Sequence, residues 1–432
     1  MKAKAGKVSR RGFLAKSAGA AAALAAPVIV PRAALGGAGN VAANDRLALG
    51  TIGCGGQGRG DLGALLGSGQ VELVAACDVY ENNRNEAASR GRTGVQTYND
   101  FRALLDRADI DLVNVGTPDH WHALIVIAAA QAGKDIYCQK PLSLTIEEGR
   151  AMVNAVRRYN RILQVGSQQR SEFSFRRACE LVQSGRIGKL VKVETYIGGN
   201  PSCGYDGWEP VPEGLDWDFY LGPAPWVPFN RHRFIWDFRW FWDYSGGNMT
   251  DWGAHHNDIA QWGMGTQFTG PVEIEGRGEF PRSGLMETPN RYKAIMKYKH
   301  GVYIECSSEG NDCKFVGADG WIVCNRGGRL QSDPPDIVKE PLGANDVHLY
   351  WDAKRQLYSD DHYRNFLDAV RTRIPPIADV EIGFRSITVC HLANIATRLG
   401  RKIQWDPDKE AIVGDEEAAR WVSRPMRKPW RL

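Results

Sequence analysis

The 432 residues are 43% apolar and 24% charged, close to globular averages and enough for two domains with full cores. The net charge of +4 is misleading, because residues 1–34 carry seven Lys or Arg and no acid, and without them the balance is −3. No basic stripe remains, which excludes nucleic acid as a natural partner.

Residues 9–14 read Ser-Arg-Arg-Gly-Phe-Leu, followed by the alanine-rich stretch Ala18–Ala26 and then Pro27 and Pro31. A basic start, a short apolar run and the small residues around Arg32-Ala33-Ala34 read as a cleavable twin-arginine export signal over residues 1–34. The apolar run is shorter than the ~20 residues a membrane span needs, so it is an address and not an anchor, and it predicts a periplasmic protein. Since this route moves folded proteins, a cofactor loaded in the cytoplasm would travel bound, and tightly. Residues 35–45 are small and polar, and read as a linker. The nine cysteines form no C-x-x-C pair, which argues against structural zinc and against a disulfide framework. Cys54, Cys77 and Cys138 read as small buried hydrophobes.

Strand and helix then alternate over residues 46–166. Strands are predicted at Leu47–Ile52, Val71–Cys77, Asp111–Val115, Asp135–Cys138 and Ile162–Val165. Helices are predicted from Asp61, over Glu81–Arg90, near Phe101–Leu105, over Ala123–Ala132 and over Thr145–Tyr159. Such alternation implies right-handed crossovers and a parallel sheet covered on both faces.

The first strand runs into Gly53-Cys54-Gly55-Gly56-Gln57-Gly58, and the second ends at Asp78, 20 residues after Gly58. A G-x-G-x-x-G between strand and helix with that acid downstream is a dinucleotide fingerprint of a Rossmann domain. Gly53 allows the tight turn, Gly55 lets the backbone approach the pyrophosphate, and Gly58 lets helix and strand pack closely. Gln57 joins them as a cofactor contact. Asp78 is expected on the adenosine ribose, where a carboxylate repels a 2′-phosphate and favours NAD, with NADP left open by nearby Arg84. The turn Thr117-Pro118-Asp119-His120-Trp121-His122 falls at the carboxyl edge of the sheet, where ligands bind. Thr117, Pro118, His120 and His122 are therefore candidate cofactor contacts. The next strand ends in Gln139-Lys140-Pro141, which aims Lys140 at the nicotinamide and makes it a candidate for both cofactor contact and catalysis.

With these motifs the chain resembles the Gfo/Idh/MocA oxidoreductase family. The second half adds Gly246-Gly247-Asn248-Met249-Thr250-Asp251-Trp252-Gly253-Ala254-His255. In the family an aspartate and a histidine four residues apart complete the site with the lysine of Glu-Lys-Pro, and Asp251, His255 and Lys140 match those positions. Spacing of i, i+4 sets Asp251 and His255 on one helical face, while His256 should point elsewhere. No third ligand stands at metal spacing, so no metal is expected. The chain departs from the family at Gln139, where glutamate is usual, leaving Lys140 one neighbouring negative charge short. Residues Gln164–Arg170 and a Trp-rich insertion resemble exported, sugar-acting branches of the family more than inositol dehydrogenase.

Past Gly166 the pattern changes to an α+β domain over 167–432. Strands at Leu190–Ile197, Val272–Gly278, Tyr292–Lys299, Val302–Ser308 and Gly320–Asn325 suggest a largely antiparallel open sheet. Helices are predicted at Phe173–Ser184, Asp251–Met264, Asp361–Arg373 and Ile382–Leu399, the late ones packing back on the first domain. Between Tyr205 and Tyr244 tryptophans and tyrosines interleave with arginines. That composition suits sugar stacking and hydrogen bonding, and equally a subunit interface in a homo-dimer or tetramer. Arg170, Trp236, Arg239 and Tyr244 are candidate substrate contacts.

The reaction this implies is hydride transfer between a secondary alcohol of a sugar, glycoside or cyclitol and the nicotinamide. His255 would be general base, Lys140 would stabilise the developing charge on oxygen, and Asp251 would orient His255 or grip a neighbouring hydroxyl. The rivals are an NAD-dependent glycoside-cleaving enzyme working by transient C3 oxidation, and a non-catalytic sugar-binding protein.

Overall fold

The computed structural model describes residue 42 and residues 45–204, 207–349, 351–352, 357–358 and 360–432. The proposed export signal lies outside the described residues, as does most of the linker. From Leu47 to Leu432 the chain forms one compact unit.

Its first sheet alternates strand and helix in the order β1 (Leu47–Ile52), α1 (Gly56–Gly67), β2 (Val71–Cys77), α2 (Glu81–Ala88), β3 (Gln96–Tyr98), α3 (Phe101–Leu105), β4 (Leu112–Val115), α4 (Asp119–Gln131), β5 (Asp135–Cys138), α5 (Ile146–Arg158) and β6 (Leu163–Val165). All pairings are parallel, in the spatial order β3-β2-β1-β4-β5-β6. The order reverses between β1 and β4, and the crevice at such a switch point is where a doubly wound sheet binds its ligand. Gly53, Asp78, Thr117 and Lys140 all follow strand ends on that edge.

Two helices start earlier than expected. Helix α1 begins at Gly56 and not Asp61, because glycines are weak helix formers and hide its first turn from sequence. Helix α4 begins at Asp119, directly after Pro118. The three-residue β3 went unpredicted, since two of its residues are exposed and carry no apolar alternation. Helix α5 carries a capping box, Thr145 accepting from the Glu148 amide and Glu148 from the Thr145 amide.

The second half supplies α6 (Phe173–Gln183), β7 (Leu190–Tyr196), α7 (Gly253–Gly263), β8 (Glu273–Glu279), β9 (Arg291–Lys297), β10 (Tyr303–Ser307), β11 (Cys313–Gly317), β12 (Trp321–Cys324), β13 (Leu330–Asp333), α8 (His362–Thr372), α9 (Val380–Leu399), β14 (Ile403–Asp406) and β15 (Ala411–Ile412). Among the described residues these strands form one open sheet, β13-β12-β11-β7-β10-β9-β8-β14-β15. It is antiparallel apart from the β7–β10 pair. Buried and more exposed residues alternate along β8, β9 and β10, as in a sheet with one packed face. That face receives α7 and the almost wholly buried α9, which also packs on α5. Helix α8 inserts Phe366 and Leu367 among Leu49, Leu112 and Tyr137 of the first sheet. Arg150 pairs with Glu381 across the α5–α9 seam at 2.9 Å. Strands β13, β14 and β15, of four residues or fewer, are too short to announce themselves by period, and β11 alternates only as far as Val316.

Among the described residues, no helix is long and apolar enough to cross a membrane. Close approach of α1 to the sheet rests on Gly58, where a Cβ would stand 2.0 Å from the Gly53 carbonyl oxygen. Gly58→Ala should therefore cost on the order of 1–3 kcal/mol, read as a lower urea midpoint. Gly55→Ala, with nothing within 4 Å of its Cβ position, should leave that midpoint nearly unchanged.

Candidate active site

A cavity of about 460 Å³ opens at the carboxyl edge of the first sheet. Its floor is the glycine turn. Gly53 holds φ +81°, and a Cβ there would collide with the Thr117 amide nitrogen at 2.5 Å, while Gly55 and Gly56 face open space. Gly53, Gly55 and Gln57 line the cavity; Gly58 lies behind it as a packing residue. Asp78 borders the same space and accepts from the amides of Cys54 at 2.6 Å and Tyr80 at 2.8 Å. Burial raises its pKa, while those amides, Asn83 and Arg84 oppose the rise. Arg84 itself donates to the Asp78 carbonyl. Arg59, which sequence reasoning passed over, also lines the cavity and reaches the Cys54 carbonyl and Glu86. An open glycine floor and a carboxylate with free lone pairs fit the phosphates and ribose of a dinucleotide.

Beyond Thr117 and Pro118, which also line the cavity, two residues of that turn need correction. His120 is buried away from the wall, its Nε2 3.0 Å from the Tyr220 carbonyl. His122 is buried as well, between the carbonyls of Thr117 and Pro141 at 2.8 and 2.7 Å. It ties the turn after β4 to the turn after β5, and so positions Lys140 without touching the cavity.

Lys140 enters the cavity and forms an ion pair with Asp251. Arg239 approaches the same Asp251 oxygen, Nε to Oδ1 3.3 Å. Burial alone would raise the Asp251 pKa, but the two cations outweigh it and hold the carboxyl below the usual range. Arg239 lies against the Trp236 ring, 4.2 Å from its centroid, and both line the cavity. Trp236 is 61% exposed at its mouth.

Gln139, where the family has glutamate, hands its amide to Asp61 at 2.8 Å. Asp61 also accepts from Tyr363 and Gln57. Burial pushes this carboxyl up to about 6. Asp61 also feels the Lys140 charge, the smallest of these influences.

Helix α7 begins at Gly253, with Trp252 already in helical conformation, so Asp251 sits in the turn that leads into it. The His255 ring is buried, with Nε2 3.0 Å from Arg326 Nη2 and Nδ1 without a hydrogen-bond partner. Burial first, then Lys140 and Arg326, hold its pKa well below the ordinary histidine value. Two expected substrate contacts, Arg170 and Tyr244, are committed elsewhere. Arg170 is wholly buried and gives a two-pronged pair to Asp258, 2.6 and 2.8 Å, plus a bond to Gln267. Tyr244 is buried against His120, Tyr220 and Phe241. Much of the Trp-rich insertion forms its own core in this way. His256 bonds the Tyr196 carbonyl, away from the cavity as expected. Among the described residues, no group of three or more His, Cys, Asp or Glu is placed to hold a metal.

Residues 47–167 match the oxidoreductase family described as having an NAD-binding Rossmann fold, and residues 176–432 match its C-terminal alpha/beta domain. The chain belongs to the Gfo/Idh/MocA oxidoreductase family. It is 31% identical to inositol 2-dehydrogenase 2 of Saccharopolyspora erythraea, over 74% of this chain and 83% of that protein. It is 40% identical to levoglucosan dehydrogenase of Pseudarthrobacter phenanthrenivorans, over 23% of this chain and only 25% of that protein. The WlbA dehydrogenase of Bordetella pertussis, solved with NADH and UDP-GlcNAcA, shares the fold of this Gfo/Idh/MocA member. Its TM-score is 0.64 at 18% identity, over 84% of this chain and 98% of that one.

Removing Arg170 would strand the Asp258 carboxylate in the interior. Arg170→Met should cost on the order of 3–5 kcal/mol, measured as thermal stability, without altering the residues that line the cavity. A variant as stable as the parent would return Arg170 to the list of substrate contacts.

Proposed function

We propose that this oxidoreductase transfers a hydride between a secondary alcohol of a sugar, glycoside or cyclitol and a tightly held NAD. The observation that carries the reading is the Lys140–Asp251–Arg239 group, which shares one cavity with Gly55 and Asp78. Relatives named for inositol and levoglucosan support the substrate class.

NAD, when bound, supplies the hydride acceptor. The glycine floor would take its phosphates and Asp78 its ribose hydroxyls, which favours NAD over NADP. Lys140, held in place by Asp251, donates to the alcohol oxygen and stabilises the negative charge that grows there. The exposed ring of Trp236 offers a stacking face for the C–H side of a sugar, and Arg239 offers donors for its hydroxyls. The twin-arginine motif supports export of the folded, loaded enzyme to the periplasm, and the exposed Trp208 and Trp226 support a homo-oligomer.

The test is turnover of a panel of sugars, glycosides and cyclitols, with products identified by mass spectrometry and bound dinucleotide counted after gel filtration. An oxidised sugar and reduced dinucleotide are expected. Glycoside cleavage without net loss of NAD would favour the cleaving rival, and binding with no product would favour the sugar-binding one. Lys140→Met should lower kcat by two or more orders of magnitude while dinucleotide affinity changes far less.

A further inference from the structure

Helix α1 buries a carboxyl that belongs neither to the glycine floor nor to the Lys140–Asp251–Arg239 group. Asp61 is wholly buried, and its hydrogen-bond partners are neutral donors from three elements. Its Oδ1 accepts from Gln57 Nε2 at 3.0 Å, one turn earlier on α1, and from the Tyr363 hydroxyl of α8 at 2.8 Å. Its Oδ2 accepts from Gln139 Nε2 at 2.8 Å. The donors continue behind Tyr363, where Gln168 donates to the Tyr137 hydroxyl at 3.2 Å and Tyr137 bonds Tyr363. On the other side, Gln139 Oε1 accepts from the Lys140 amide at 3.2 Å. Gly166 leaves room for that oxygen, since a Cβ there would stand 2.7 Å from it.

A carboxylate only accepts, whereas a carboxamide accepts at one end and donates at the other. Every bond at Asp61 is donated to it, so the network closes around the ionised group. The end that Gln139 turns to Asp61 then decides which end meets the Lys140 amide. Resting on the hydride-transfer reading, we propose that Asp61 is a positioning residue for Lys140. It holds the Gln139 carboxamide in the one orientation that fixes the Lys140 backbone relative to the glycine turn. Asp61 acts only through Gln139, and no proton or hydride passes through it.

The electrostatics agree with this role. The titratable groups that face Asp61 are Tyr363 from α8, Tyr137 and Cys138 from β5, and Lys140 just beyond β5. Burial pushes the carboxyl up to about 6, against the pull of Tyr363, Gln139, Gln57 and Lys140. It is therefore ionised at neutral pH. Protonation would set an O–H donor against one of the three donors, and the turn of Gln139 would no longer be dictated. Turnover should accordingly fall as pH drops through about 6.

The test compares the parent with Asp61→Asn, Gln139→Glu and the double variant. In Asp61→Asn the remaining oxygen stays with its two donors, Gln57 and Tyr363, and the new amide meets the Gln139 amide, donor against donor. In Gln139→Glu two carboxylates meet. In the double variant the amide at position 61 faces a carboxylate at position 139, and each donor again has an acceptor. With the alcohol the parent oxidises best, each single substitution should lower kcat roughly 10- to 100-fold. Dinucleotide affinity, by fluorescence titration, should change far less. Hydrogen exchange of the Lys140 amide in the cofactor-free protein should quicken in both single variants, and the double variant should return kcat and exchange towards the parent. The acid limb of kcat should move to higher pH in Gln139→Glu, because like charges sharing a site raise one another's pKa. Single variants with the parent's kcat and Lys140 exchange, a double variant no better than the slower single, or an acid limb unmoved in Gln139→Glu overturns the assignment. A parent that oxidises no alcohol with NAD defeats the hydride-transfer reading instead, and Lys140 exchange in the same four proteins then decides the positioning role alone.

Discussion

The site depends on one buried carboxylate held between two cations. Asp251 comes from the turn before α7, Lys140 from the end of β5, and Arg239 from the insertion between β7 and α7. Three distant stretches of chain thus meet at a single oxygen. A buried carboxylate without partners would take up a proton, and the pair of cations prevents it. Each cation is in turn fixed in place: Lys140 by the strand end and the His122 brace, Arg239 by the rings of Trp236 and Phe238.

The neighbouring acids show how the same cavity sets different proton affinities. Asp251, with cations against it, stays ionised. Asp119, at the same depth but bonded to a neutral hydroxyl, is pushed up to about 7. Asp61, behind Gln139, is pushed up to about 6 and links the glycine turn, through Gln57, to the strand end that carries Lys140. Whether a charge is paired, more than how deeply it lies, separates Asp251 from the other two.

Much of the first sheet was legible in the chain because a parallel strand buried on both faces carries a continuous apolar run, as at Leu73–Cys77 and Ile136–Cys138. The glycine turn was legible because Gly53 and Gly58 stand where backbone collisions admit only glycine, and Gly55 between them leaves open space. The second sheet was partly hidden. Five of its strands were visible, but Cys313–Gly317, with burial that alternates only as far as Val316, and the four-residue Leu330–Asp333 were not. The site was legible where roles follow from strand ends, as at Lys140, and illegible where they follow from partners far away in sequence. Arg170 meets Asp258 88 residues later, and His255 meets Arg326 71 residues later. Neither pairing leaves a trace in local spacing.

The claim on which all else rests is that the glycine turn and the Lys140–Asp251–Arg239 group form one site for a dinucleotide and an alcohol. A crystal structure of the mature protein with bound NAD tests it most directly. Pyrophosphate is expected over Gly55 and Gly56, ribose hydroxyls on Asp78, and the nicotinamide ring beside Lys140 with Trp236 on its open side. A dinucleotide seated elsewhere, or a nicotinamide ring remote from Lys140, would contradict it.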